Sequence, residues 1–145
     1  MQGYEYRVSL RIRHPNLDPA ELTSQLGISP LHSWRAGEPR LGTAGEPDAG
    51  AYRETYWFAH LRRVIEDFIP DLPFEGVLMF ALTRIQRAES FWDELLATGG
   101  SARFIVEIYG GDDFTLDLSR VTLAKMARFG VAISVDVHTE LLAAA

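Results

Sequence analysis

The chain contains no cysteine. That excludes disulfide staples, zinc–thiolate centres, iron–sulfur clusters and a cysteine nucleophile. Lysine is nearly absent too: Lys125 stands alone, and every other basic residue is arginine. Positive charge is scarce overall, with a formal net charge of -6 over 145 residues. A general nucleic-acid binder needs a basic footprint to displace counterions, so nucleic acid is not the expected partner. Long apolar runs are missing as well. The longest, Val77 to Leu82, is far shorter than a bilayer span, and no membrane association is expected. Met1-Gln2-Gly3-Tyr4-Glu5 shows no basic region leading into an apolar stretch, so the expected location is cytoplasmic. HExxH, GxSxG, Walker-type and GxGxxG signatures are absent, which removes the commonest motif-borne chemistries.

What is present suits one ordinary α+β domain over residues 1–145. At 47% hydrophobic the chain can bury a core without a metal or disulfide. Tyr6, Val8, Leu10 and Ile12 alternate with Arg7, Ser9, Arg11 and Arg13, the period-two pattern of a half-buried strand. His14-Pro15-Asn16 ends it. Asp18 is placed to cap a helix, with Pro19 at its first position and Gly27 at its close. Residues 29–52 carry seven glycines and prolines without periodicity and read as a long irregular loop. Arg53 to His60 is a second strand. Leu61 to Ile69 is a short helix ended by Pro70 and Pro73. Apolar residues from Phe74 to Leu96 keep helical spacing up to Gly99-Gly100, predicting one helix over Phe74–Thr98. Ala102–Tyr109 and Val131–His138 are further strands, separated by a helix capped at Ser119 and stopped by Gly130. Residues 141–145 form a frayed tail.

The strand–helix–Leu26-Gly27-Ile28 run is echoed by strand–helix–Phe129-Gly130-Val131. Two β-α-β units predict a four-stranded, mainly antiparallel, ferredoxin-like sheet, with further helices inserted between the halves. Right-handed crossovers place the helices on one face and leave the other open.

Three regions offer chemistry. The open face would carry Arg7, Arg11 and Arg13 with Arg103 and Tyr109, a distribution that resembles the stacking platform of single-stranded RNA binders. Its first strand has no outward aromatic between Arg7 and Arg13, and a solvated face of cross-strand ion pairs is the plainer account. The loop Trp34-Arg35-Ala36-Gly37-Glu38-Pro39-Arg40, with Tyr52 and Trp57 further on, could grip an anion or a peptide. The plainer account is that Trp34 plugs the loop onto the sheet edge. Finally, His14 with Asp18, and Asp112, Asp113 and Asp117, bring donor atoms close in sequence but match no ligand spacing. No metal, cofactor or catalytic residue is expected.

Several segments together resemble a bacterial domain-of-unknown-function family, numbered 4279. They are Val8-Ser9-Leu10-Arg11-Ile12, Leu17 to Leu22, Leu26 to Pro30, the Trp34 to Pro39 loop, Trp57, and Leu123 to Ile133 with Asp136 after it. Phe129 stands where the family leads one to expect leucine. The resemblance spans nearly the whole chain and implies a single domain. It brings no established activity and no catalytic residue.

The leading expectation is a non-enzymatic binding module that holds a protein partner or a second copy of itself. Its contacts would come from the arginine-rich sheet face or the Trp34 loop. The alternative is an enzyme or binder of a small anionic ligand, with Arg35 or Arg40 as clamp and Glu38 or His32 as the acid–base group.

Overall fold

In a computed structural model, residues 5–40, 50–61, 74–110 and 115–138 are described. They form β1 (Glu5–His14), α1 (Pro19–Leu26), β2 (His32–Trp34), β3 (Thr55–His60), α2 (Phe74–Arg87), α3 (Glu89–Ala97), β4 (Ser101–Tyr109), α4 (Arg120–Arg128) and β5 (Val131–His138). The sheet has five strands in the order β2-β3-β1-β4-β5. The β2/β3, β3/β1 and β1/β4 pairs are antiparallel, while β4 and β5 run parallel.

The α+β class holds, but the arrangement differs from the expected ferredoxin-like one in three respects. The sheet has five strands instead of four, because His32–Trp34, inside the expected irregular loop, pairs with β3 as β2. The hairpin so formed places β3 between β2 and β1. The first β-α-β unit is split by an intervening strand, as a ferredoxin-like sheet requires, but the second departs from it in being unsplit, with β4 and β5 direct parallel neighbours. Finally, the helix expected over Phe74–Thr98 is two helices. Ala88 leaves helical geometry (φ -108°, ψ 35°), its N–H bonds Ile85 O at 3.0 Å, and α3 turns so that Trp92 is wholly buried with its indole N–H on Phe129 O at 2.8 Å. Tertiary packing of one large ring overrides a pattern that local spacing alone would continue. The helix expected at Leu61–Ile69, the Asp112-Asp113 pair and the tail from 141 lie outside the described residues, Leu61 apart.

Local signals operate as expected at both β-α-β units. Asp18 Oδ1 accepts the N–H of Ala20 at 3.0 Å with Pro19 at the first turn, and Gly27 closes α1 in the left-handed region at φ 65°. Ser119 Oγ accepts the N–H of Thr122 at 3.3 Å, and Gly130 follows α4 at φ 64°. The helices pack on one face of the sheet. There Val8, Leu10 and Ile12 of β1, Trp57 and Ala59 of β3, and Phe104, Val106 and Ile108 of β4 are fully buried against Leu22, Leu26, Leu78, Leu82 and Ile85 of the helices. Nearly all of this is apolar surface removed from water, the dominant favourable contribution to folding. The opposite face carries no helix among the described residues.

Two polar groups stitch the layers. Thr55, fully buried, donates its hydroxyl to Leu17 O at 2.6 Å and accepts the Ala36 N–H at 3.1 Å, joining three chain segments. His14 Nδ1 accepts the N–H groups of Asn16 and Leu17 at 3.1 and 2.9 Å. The proton is thereby placed on Nε2, which donates to Thr98 Oγ1 at 2.7 Å.

Candidate functional site: the sheet face opposite the described helices

Strand pleating sends alternate residues to this face, and the cross-strand register orders them into rows. One row reads Trp34, Tyr56, Arg13, Ser101. The next reads His32, Phe58, Arg11, Arg103, Ala132. Beyond it come His60, Ser9, Ile105 and Ser134, then Arg7, Glu107 and Asp136, then Glu5, Tyr109 and His138. The face is thus divided: aromatic on β2 and β3, cationic along β1 and into β4, acidic at the far corner.

The aromatic part is a ladder. Trp34 stacks with Tyr52 at 4.4 Å and with Tyr56 at 4.5 Å between ring centroids, both 15° from parallel. Tyr56 continues towards Phe58 at 6.4 Å, and Phe58 meets His32 at 6.2 Å and His60 edge-on at 5.3 Å. Cations flank the ladder, with Arg40 5.7 Å from the Tyr52 ring and Arg13 5.9 Å from the Tyr56 ring. Residues 37–40 pair with 50–52 through Gly37 N–H on Tyr52 O, Tyr52 N–H on Glu38 O and Arg40 N–H on Gly50 O. The ladder therefore pins this irregular stretch to the sheet edge. Because the rings spend their faces on one another, this surface presents largely their edges.

The far corner is polar. The Tyr109 hydroxyl donates to Glu107 Oε2 at 2.8 Å. That bond, with burial and the Glu107 charge, raises the Tyr109 pKa above its usual 10.0, against the pull of Arg7. His138 stacks on Tyr109 at 4.5 Å and lies 3.7 Å from Glu107. Ser9 Oγ is within 2.8 Å of His60 Nδ1, but Ser9 is fully buried.

Of the residues singled out in the sequence, Arg7, Arg11, Arg13, Arg103, Tyr109 and Trp34 share this face. Trp57 does not. It is buried on the helix side, its indole N–H on Thr23 Oγ1 at 3.1 Å. The loop charges are directed to separate neighbours: Arg35 lies 3.8 Å from Asp18, Arg40 over Tyr52, and exposed Glu38 in the turn that its N–H makes to Arg35 O. His14, seated among backbone amides and Thr98, is a structural group. No three His, Asp or Glu side chains among the described residues are grouped to hold a metal ion. No helix among them is long and apolar enough to cross a membrane.

Sequence reasoning missed Tyr56, Phe58 and His60 as members of this face, and placed Tyr52 and His32 only with the Trp34 loop. The Thr55–His60 alternation held the signal, but aromatic residues occupy both parities there, so its outward side could be assigned only once Trp57 was known to be buried.

No curated protein matches the chain. No solved structure matches it. A family model does, over residues 4–140, described as a domain of unknown function, DUF4279. That span takes in all five strands, the helices behind them and the aromatic–arginine face, and so the chain belongs to the DUF4279 family.

Proposed function

We propose that the domain is a non-enzymatic binding module and that the sheet face opposite the described helices receives a protein partner. The observation that carries this reading is the adjacency of an aromatic ladder and arginine side chains on one surface that no described helix covers. Aromatic residues and arginine are the side chains that most often anchor protein interfaces. Ring edges beside guanidinium groups suit apolar and acidic side chains. They suit nucleobases less, because bases need free ring faces to stack on. A second copy of the chain is the other occupant of the same kind.

The test is affinity capture from the native lysate with three forms of the tagged protein: unmodified, Phe58→Asp on the face, and Arg87→Glu on exposed helix surface. A protein retained in stoichiometric amount by the first and third, and lost with the second while its circular dichroism is unchanged, supports the reading. Light scattering on the same forms reports self-association. Monomers that capture nothing, or capture unaffected by Phe58→Asp, overturn it.

A further inference from the structure

Arg11 and Arg103 are direct cross-strand partners on β1 and β4. Directly opposed like charges destabilise a sheet, and antiparallel partners have backbones only about 5 Å apart. Both residues are half-buried. Arg103 donates to the Ser134 hydroxyl at 2.7 Å, which brings no negative charge. Arg11 has no carboxylate partner among the described residues. Their neighbours on the face are Phe58, Ser9, Ile105 and Ala132, none of them acidic. The adjacent cation, Arg13, is 3.6 Å from Glu54 and already engaged. Among the described residues, two arginines therefore stand as direct cross-strand partners with no group of opposite sign beside them.

We infer that Arg11 and Arg103 form a carboxylate-binding site for an acidic side chain of a protein partner. This rests on the reading of the sheet face as the binding surface. Each guanidinium presents a planar fork of N–H donors matched to an oxyanion, and two forks on adjacent strands can share one carboxylate. A single bound charge removes the like-charge opposition, so the site is least favourable empty. Phe58, directly opposite Arg11 on the other side, gives the same partner segment an apolar neighbour. A nucleic acid fits less well, because the neighbouring rings spend their faces on one another and leave few for bases to stack on.

The probe is fluorescein-labelled hexaglutamate, followed by fluorescence anisotropy at low salt, with hexalysine and hexauridylate peptides and oligonucleotides of matched label for comparison. Hexaglutamate is expected to bind the unmodified protein and Arg87→Gln alike, and at least tenfold more weakly to the Arg11→Gln/Arg103→Gln double variant. The unliganded double variant is expected to melt no lower than the unmodified protein, because its substitutions remove the opposed charges. The inference is overturned by absence of hexaglutamate binding, by undiminished binding to the double variant, or by tighter binding of hexauridylate through the same two arginines. Two further outcomes separate this site from the broader reading. A partner lost with Phe58→Asp but kept by the double variant overturns the carboxylate site and leaves the sheet-face reading standing. Hexaglutamate bound through both arginines, with capture indifferent to Phe58→Asp, does the reverse.

Discussion

His14 Nε2 lies 2.7 Å from Thr98 Oγ1, and this contact joins the end of β1 to the end of α3 across the back of the sheet. The imidazole accepts two backbone N–H groups on its other nitrogen, so it must be neutral to make all three bonds. Burial lowers its pKa from the usual 6.5. Protons therefore bind the unfolded chain more readily, and the contribution of His14 to stability is complete above pH 6.5 and is lost as pH falls towards the lowered folded value. Urea titrations at pH 7.5 and pH 5 are expected to show a drop in stability that is smaller in His14→Gln than in the unmodified protein. An equal drop in both would place the pH dependence elsewhere.

Gly100 has no room for a methyl group. A Cβ there would stand 2.4 Å from Leu95 Cδ2 and 2.6 Å from Leu95 O, and a backbone carbonyl at the end of α3 cannot step aside cheaply. Gly100→Ala is expected to cost about 1–3 kcal/mol, the usual range for overpacking. The denaturant midpoint reads it directly, and an unshifted midpoint would mean that the α3–β4 turn relaxes freely.

Trp34→Ala removes the shared ring of two stacks. Each aromatic pair contributes about 0.5–1.5 kcal/mol beyond its buried area. The effect is expected to be local. Hydrogen exchange at the Gly37, Arg40 and Tyr52 amides should accelerate strongly, while β1 and β4 amides keep their protection. Uniform acceleration across the sheet would show instead that the ladder supports the whole fold.

Thr55→Val keeps the shape of a buried side chain but strips out the hydroxyl that serves Leu17 O and the Ala36 N–H. Leaving a buried polar group unpaired costs about 1–3 kcal/mol. Thermal unfolding of Thr55→Val and Thr55→Ser separates the terms: serine is expected to retain more of the stability than valine although it is smaller.

Much of this architecture was legible in the residues. Alternation assigned the faces of β1 and β4, and the Asp18 and Ser119 caps with Gly27 and Gly130 framed two helices, because these are local signals read within a few positions. β2 was hidden because His32-Ser33-Trp34 is too short to show a period and sits among glycines and prolines. It becomes a strand through ring stacking with residues some twenty positions away in the chain. The step at Ala88 carries no glycine or proline to announce it. In the candidate site, the outward arginines of β1 could be read singly. Their neighbours could not, since the opposition of Arg11 to Arg103 and of Arg11 to Phe58 depends on a register set between strands distant in sequence.

The position of β1 at the middle of the sheet has a consequence for the order in which the protein can assemble. It precedes all the other described strands in the chain, yet its neighbours are β3, whose His60 is 51 residues beyond Ser9, and β4, which comes later still. A nascent chain must therefore carry a half-apolar strand with both edges unmatched until β3 is made, and with one edge unmatched until β4 follows at Ser101–Tyr109. Closing such distant pairs is slow, and exposed edges invite pairing between chains. Fragments ending before β4 are accordingly expected to sediment as aggregates, whereas chains that include β5 stay in the supernatant; soluble, monomeric short fragments would show that β1 is sheltered by something made earlier than its partners.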